Sequence, residues 1–127
     1  DTNVLVYLFE EDDLLKREKA EWLLQNKPSI SFQSVSEFIN ISRRLLKYPK
    51  AEILEDCLQV TALTDVIAFS TLILNEAKSL IIRYDFQIFD AIIVASALEV
   101  GCEVLYSEDF QHNLLVENQL RILNPFV

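Results

Sequence analysis

Apolar residues alternate between helical and strand-like spacing along the chain. Helical spacing predicts helices over residues 4–9, 14–26, 51–60, 71–83 and 89–100, and over a stretch that begins at Ser34 and is ended by Pro49. Short apolar runs predict strands over residues 28–32, 65–69, 103–106 and 120–123, with a turn or short helix at 111–116. Asp13 and Ser70 are placed to cap the helices that follow them, and Gly101 to end the helix before it.

Strands and helices alternate in this prediction, which is typical of parallel crossover connections. We therefore expect an α/β fold, with a three-layer α/β/α arrangement around a central and mostly parallel sheet. The 127 residues include one glycine and three prolines, so the connections are short and residues 1–127 form a single domain. The segment at Asp1 has the context of a residue that follows a central strand, yet no strand precedes it. Either the sequence is truncated or the sheet lacks this strand, and we favour truncation.

Composition limits the class of protein. Apolar residues make up 51% of the chain and the mean hydropathy is +0.22, which favours a compact core over disorder. No apolar run reaches the ~18 residues of a membrane span, and the first residues do not resemble a signal peptide. We therefore expect a soluble, cytoplasmic protein without a membrane partner, in which Cys57 and Cys102 are buried free thiols.

The net charge of −9 gives no overall basic footprint for nucleic acid. Local basic character follows Glu37 instead, at Arg43, Arg44 and Lys47, which are candidate substrate-binding residues. On a continuous helix, one face would carry Glu37, Ile41, Arg44 and Tyr48. That face could bring a cationic edge near an acidic site, and a solvated helix face without a substrate role is the equal alternative.

Four acidic residues lie in short segments flanked by apolar runs, at the edges of predicted buried elements. They are Asp1 in Asp-Thr-Asn, Glu37 in Ser-Glu-Phe, Asp90 in Phe-Asp-Ala and Asp109 in Ser-Glu-Asp. Converging carboxylates cannot all stay ionised in a small pocket unless a cation neutralises them. A hard divalent metal with oxygen ligands meets this need, which points to metal-assisted phosphodiester chemistry.

Each acid also has a purely structural alternative. Glu37 has the capping-box position of a helix that begins at Ser34. Asp90 could be a first-turn residue stabilised by the helix dipole, and Asp109 a turn former.

Covalent catalysis and phosphate-loop binding find little support. The only histidine is His112, which excludes catalytic mechanisms that need two histidines. We interpret His112 as a surface or packing residue. Neither cysteine has a polar setting that would lower its pKa. A single glycine rules out a glycine-rich phosphate loop.

The four acidic segments, in this order and in an α/β context, resemble the PIN domain, the nuclease fold of VapC-type toxins and of several RNA-processing enzymes. The resemblance covers essentially the whole chain. It implies that the catalytic set is Asp1, Glu37, Asp90 and Asp109. It also implies a supporting hydroxyl at Ser107, next to the last acid, and a polar position at Asn3, close to the first.

Site chemistry and the resemblance together imply a reaction. Mg²⁺ or Mn²⁺ held by Asp1, Asp90 and Asp109 would polarise a phosphoryl oxygen and activate a water for in-line attack. Glu37 would orient that water or help bind a second metal. The products would carry a 5′-phosphate and a 3′-hydroxyl.

Resemblance to the VapC-type toxins also implies three partners. They are an RNA substrate, a second copy of the chain in a homodimer, and a small antitoxin that inserts a basic side chain into the site. Two alternatives stay open. One is a PIN-like interaction or scaffold module whose site is too weak to hold metal. The other is a structure-specific DNA nuclease, although the chain lacks extra elements that would grip DNA.

Overall fold

The computed structural model describes all 127 residues, which form six α-helices and five short strands. The helices are α1 (Thr2–Tyr7), α2 (Leu14–Gln25), α3 (Phe32–Ile41), α4 (Lys50–Ala62), α5 (Thr71–Tyr84) and α6 (Ile88–Glu99). The strands are β1 (Ser29–Ser31), β2 (Asp65–Ile67), β3 (Val104–Tyr106), β4 (Leu114–Val116) and β5 (Leu120–Leu123). The predicted mixed α/β fold is therefore confirmed.

Local capping chemistry explains where several helices begin and end. The side chain of Asp13 accepts a hydrogen bond from the backbone N–H of Lys16, and Ser70 accepts one from Ile73, so both predicted N-caps are confirmed. Gly101 follows α6 with a φ of +73°, the left-handed conformation that only glycine adopts without strain.

The start of α3 differs from the prediction. Ser31, not a residue near Ser34, is the N-cap, and its hydroxyl accepts a hydrogen bond from the backbone N–H of Ser34 at 3.0 Å. Phe32, predicted to end a strand, is instead the first helical residue. Glu37 then lies beyond the first turn of α3, so the capping-box alternative for this residue is wrong.

A π-helical turn, Ser42–Leu46, continues α3 and ends at Lys47, which has a left-handed φ of 53°. Its wider hydrogen-bonded turn changes the rotation per residue, and the helix stops before Pro49. The single helical face predicted from Glu37 to Tyr48 is therefore interrupted. Such a turn cannot be detected from apolar spacing, because residues 43–46 are all exposed.

The strands form two sheets in place of the single central sheet that was predicted. β1 pairs in parallel with β2, and β3 pairs in parallel with β5. Residues 114–116, predicted as a turn or short helix, form β4, which pairs antiparallel with β5. A central parallel sheet is thus only partly formed.

Two apolar cores match the two sheets. One is built by residues of α1, β1, α3 and α4, and the other by residues of α5, α6, β4 and β5. Cys57 is buried and Cys102 half-buried; both are free thiols, and burial raises the pKa of each. None of the six helices combines the length and apolar character needed to cross a bilayer.

An apolar cavity of about 420 Å³ lies between the two sheets. All three residues of β1 and all three of β3 line it, and neither strand pairs with another strand along its second edge. Apolar side chains of α1, α2 and α6 complete the wall, at Val4, Leu5, Leu8, Leu23, Ile93 and Ala97. The cavity is therefore bordered by two open strand edges.

Filling the cavity with a strand should stabilise the fold. The backbone nitrogen of Asp1 donates to the carbonyl oxygen of Tyr106 at 3.2 Å, so a segment fused ahead of Asp1 would start beside β3. We expect a fusion of four alternating valine and isoleucine residues to raise Tm by roughly 5 °C, through burial of apolar side chains. Thermal unfolding followed by circular dichroism measures this. A matched fusion of glycine and serine should leave Tm unchanged, and equal effects of the two fusions would contradict the prediction.

Candidate active site

The four predicted acids come from four different elements. Asp1 is the N-cap of α1, and Glu37 lies in the second half of α3. Asp90 lies in the first turn of α6, and Asp109 lies in the turn that follows β3. Both β1, which leads into α3, and β3 thus deliver an acid beyond their carboxyl ends, where ligands bind in parallel α/β sheets.

Two of these acids, Asp90 and Asp109, have a raised pKa, and the charge of Glu37 contributes to both. The pKa of Asp90 is raised, first by burial and then by the negative charges of Asp109 and Glu37. The pKa of Asp109 is also raised, mainly by desolvation and then by the charge of Glu108. The α-amino group of Asp1 lowers this pKa, and Glu37 adds a smaller rise. The α6 dipole favours a charged Asp90, but burial and like charge outweigh it.

No basic side chain neutralises the cluster. The ion pairs of the protein are Lys16 with Glu108, Arg17 with Glu21, and Arg83 with both Glu76 and Glu117. None of them includes one of the four acids. The buried α-amino group of Asp1 has its pKa lowered to about 6, chiefly by burial, so it is mostly uncharged at neutral pH.

The two supporting residues both contact the cluster, each in a partly unexpected way. The hydroxyl of Ser107 donates to Asp1 and also accepts the backbone N–H of Asp109 at 3.1 Å, so it links the first acid to the last. Asn3 donates its side-chain amide to Asp109 at 2.8 Å. The sequence predicts a place for Asn3 near Asp1, and its hydrogen bond is to Asp109, which Ser107 links to Asp1.

Two further residues orient Glu37 and were not singled out from the sequence. The hydroxyl of Thr2 donates to one carboxylate oxygen, and the side-chain amide of Gln33 donates to the other at 3.2 Å. Gln33 precedes Glu37 by four residues on α3, a spacing that places the two side chains together. Thr2 lies between Asp1 and Asn3, so its place in the Asp-Thr-Asn segment could have identified it as a site residue from the sequence.

Asp90 differs from the other acids because its carboxylate accepts no hydrogen bond from the protein, whereas each of the other three accepts at least one. It is half-buried and faces two other carboxylates. Partial burial and like charge both disfavour the ionised form of a carboxylate in this setting, and a bound cation would offset them.

The donor set fits a divalent metal in chemistry and charge. Carboxylate oxygens without a neutralising basic side chain are the ligands that Mg²⁺ and Mn²⁺ prefer. As the side chains stand, no three carboxylate, imidazole or thiol groups gather closely enough to enclose an ion. Closing the site would require carboxylates to rotate towards a common point, and the unpartnered Asp90 loses no hydrogen bond when it does so.

The three candidate substrate-binding residues lie outside this cluster. Arg43, Arg44 and Lys47 are exposed, and none forms an ion pair or a side-chain hydrogen bond with the protein. They lie on the π-helical turn and at its end, which is the continuation of the helix that carries Glu37.

The raised pKa of Asp90 predicts that neutralising it stabilises the metal-free protein. A carboxyl whose pKa is raised by folding destabilises the protein as pH rises from its ordinary pKa through the folded one. Asp90→Asn should therefore raise Tm by a few degrees at pH 7.5 without metal, and by much less at pH 3.5. Thermal unfolding in EDTA measures this, with the exposed Asp12→Asn as the matched control. A lower Tm for Asp90→Asn at pH 7.5 would contradict the prediction that the ionised carboxylate of Asp90 destabilises the fold.

Comparison with known proteins agrees with this architecture. The family model of the PIN domain matches residues 1–115, a range that contains all four acids. Among solved structures, a chain of a toxin-antitoxin complex from Klebsiella pneumoniae matches with a TM-score of 0.73 and 21% identity, over 98% of this chain and 94% of that chain. At this identity the likeness concerns the fold. No curated protein matches the chain.

The family match covers most of the chain and includes the acids that the fold draws together. PIN domains are generally nucleases, which agrees with a carboxylate cluster that lacks a counter-charge. The chain belongs to the PIN domain family.

Proposed function

We propose that this PIN domain is a metal-dependent endoribonuclease that hydrolyses phosphodiester bonds in RNA. The observation that carries the proposal is the state of Asp90. Its carboxylate is half-buried beside Asp109 and Glu37, with a raised pKa, no hydrogen-bond donor and no basic partner. Perturbed carboxylates of this kind are characteristic of functional sites.

Asp1, Asp90 and Asp109 are the residues proposed to hold Mg²⁺ or Mn²⁺. When bound, the metal would supply Lewis-acid polarisation of a phosphoryl oxygen and activation of a water. Ser107 fixes Asp1 and Asn3 fixes Asp109, so two of the three ligands are oriented by hydrogen bonds before any ligand binds.

Glu37 is proposed to orient the attacking water. Thr2 and Gln33 each donate to one of its oxygens, which fixes the plane of the carboxylate. Each oxygen keeps a further lone pair with which to accept a hydrogen bond from water. In-line attack with the 3′-oxygen leaving would give a 5′-phosphate and a 3′-hydroxyl.

Arg43, Arg44 and Lys47 are proposed to contact the phosphates of the RNA. Their lack of acidic partners leaves all three charges available, which offsets part of the repulsion between an acidic protein and its substrate. Arginine is well suited to this role because its guanidinium can bind phosphate in a bidentate manner.

The chain is further proposed to be the toxin of a toxin–antitoxin pair and to form a homodimer in the cytoplasm. The similar chain from Klebsiella pneumoniae belongs to a toxin-antitoxin complex, which supports the first idea. An acidic site would also attract an inserted Arg or Lys of an antitoxin. Three leucine side chains, Leu45, Leu54 and Leu58, are 75%, 55% and 64% exposed. Their exposure supports association with another protein surface.

The alternative is a catalytically weak PIN domain that serves as an interaction or scaffold module. The lack of three ligand groups already gathered around one point is the observation that favours it. The two functions differ in their response to metal, because a scaffold should show no binding heat and no change in Tm at millimolar Mn²⁺.

Cleavage should depend on metal and on Asp90. We expect the protein to cut labelled single-stranded RNA with Mn²⁺ or Mg²⁺ and to lose activity in EDTA. Asp90→Asn should lower the rate at least about 100-fold, since it removes a ligand while the fold is kept. Asp12→Asn is the matched control and should cleave normally. Undiminished cleavage by folded Asp90→Asn would overturn the proposed site, and no cleavage by any protein would favour the scaffold.

Neutralising the exposed arginines should weaken RNA binding. The double variant Arg43→Gln/Arg44→Gln is expected to raise KM for RNA about 3–10-fold with little change in kcat. Its binding should also depend less on salt, with the slope of log K reduced by about 0.7 for each lost phosphate contact. The control is Arg17→Gln, since the guanidinium of Arg17 is paired with Glu21 at 3.0 Å. If log K falls with salt at the same slope for the double variant and the parent protein, Arg43 and Arg44 do not contact the phosphates of the RNA.

A further inference from the structure

The segment that carries Asp109 is attached to α1 through side chains. Residues 107–109 follow β3 in a bend, and each of the three forms a hydrogen bond with a different side chain at the start or within α1. The pairs are Ser107 with Asp1, Glu108 with Tyr7, and Asp109 with Asn3. Asn3 and Tyr7 are four residues apart and therefore share one face of the helix.

Lys16 of α2 closes the outer end of this contact. Its ammonium group donates to the hydroxyl of Tyr7 at 2.8 Å and to Glu108 at 3.2 Å. It also lies 4.4 Å from the centre of the Tyr7 ring and 5.3 Å from that of Phe126. One charge thus connects α2, α1, the 107–109 segment and the last residues of the chain.

This cluster is more than an isolated surface ion pair, which contributes little. The side chains of Lys16 and Glu108 are only 32% and 20% exposed. The hydroxyl of Tyr7 accepts from Lys16 and donates to Glu108, so the three polar groups form a closed hydrogen-bonded ring. The rings of Tyr7 and Phe126 meet edge to face, with centres 5.0 Å apart, and support the ammonium by cation–π contact.

The position of the cluster links it to the active site. Glu108 immediately precedes Asp109, so fixing the side chain of Glu108 limits the backbone positions open to Asp109. Residues 107–109 lie outside the strands and helices. The backbone N–H of Ser107 donates to the carbonyl oxygen of Leu123 at 3.0 Å, and beyond Ser107 the segment is held by side-chain contacts.

We infer that Lys16 is a positioning residue, which acts through Glu108 and Tyr7 to hold Asp109 in place for metal binding. The link to metal rests on the proposed function; the mechanical link between Lys16 and the 107–109 segment does not. Lys16 touches none of the four acids, so its effect must pass through this contact.

The first test uses hydrogen–deuterium exchange of the metal-free protein. Lys16→Met keeps the apolar stem over the two rings and removes the charge, so exchange at residues 107–110 should become at least about 10-fold faster. Tyr7→Phe should have a similar effect, and Lys16→Arg should restore most of the protection. Lys19→Met is the matched control, because Lys19 is on the same helix, lies 4.6 Å from the centre of the Trp22 ring and forms no side-chain hydrogen bond or ion pair with residues 107–109. Unchanged exchange in Lys16→Met would overturn the inference, whatever the metal does.

The second test measures Mn²⁺ affinity by calorimetry and then kcat and KM for RNA. Lys16→Met should bind Mn²⁺ about 10-fold more weakly and show a lower kcat with an unchanged KM, and Lys16→Arg should recover both. Faster exchange with unchanged Mn²⁺ affinity would reduce Lys16 to a structural residue and refute its role at the site. A raised KM alone would mean that Lys16 contacts RNA, which also refutes it. If the parent protein does not bind Mn²⁺, the proposed function is wrong. The hydrogen–deuterium exchange result would still show whether Lys16 holds the 107–109 segment.

Discussion

Repulsion among the carboxylates of Asp90, Asp109 and Glu37 is the constraint around which this protein is arranged. The charges of Asp109 and Glu37 raise the pKa of Asp90, the charge of Glu37 also raises that of Asp109, and no lysine or arginine forms an ion pair with these acids. Folding therefore brings together groups that would be more stable apart. Such an arrangement is characteristic of functional sites, and the proposed divalent cation would satisfy both the charge and the oxygen ligands.

The fold supplies the rigidity that this repulsion requires. Asp90 stands on α6, whose residues 91–97 are all buried, and this helix cannot shift without opening the core. The opposite side is held by polar contacts, in which Ser107 joins Asp1 to the turn of Asp109 and Asn3 holds Asp109 itself. The site therefore combines a helix fixed by apolar packing with a turn fixed by hydrogen bonds, and Lys16 belongs to the second group.

Features that depend on local pattern could be predicted from the sequence, and features that depend on long-range contact could not. The helix limits set by Asp13, Ser70 and Gly101 followed from capping chemistry. The apolar surroundings of the four acids predicted a shared site, which stays a prediction. The strand at 114–116 was missed because its apolar side chains are explained only by pairing with β5. Thr2, Gln33 and Lys16 were missed because their partners lie on other elements or required the true start of α3.

The most direct test of the central claim is to locate Mn²⁺ in crystals by its anomalous scattering. We predict a peak in coordination contact with a carboxylate oxygen of Asp90 and of Asp1 or Asp109, and no such peak in Asp90→Asn crystals. A Mn²⁺ ion bound elsewhere, or none at saturating concentration, would contradict this claim. In that case the carboxylate cluster would need another source of compensation, and the assignment of a metal-dependent nuclease would fall.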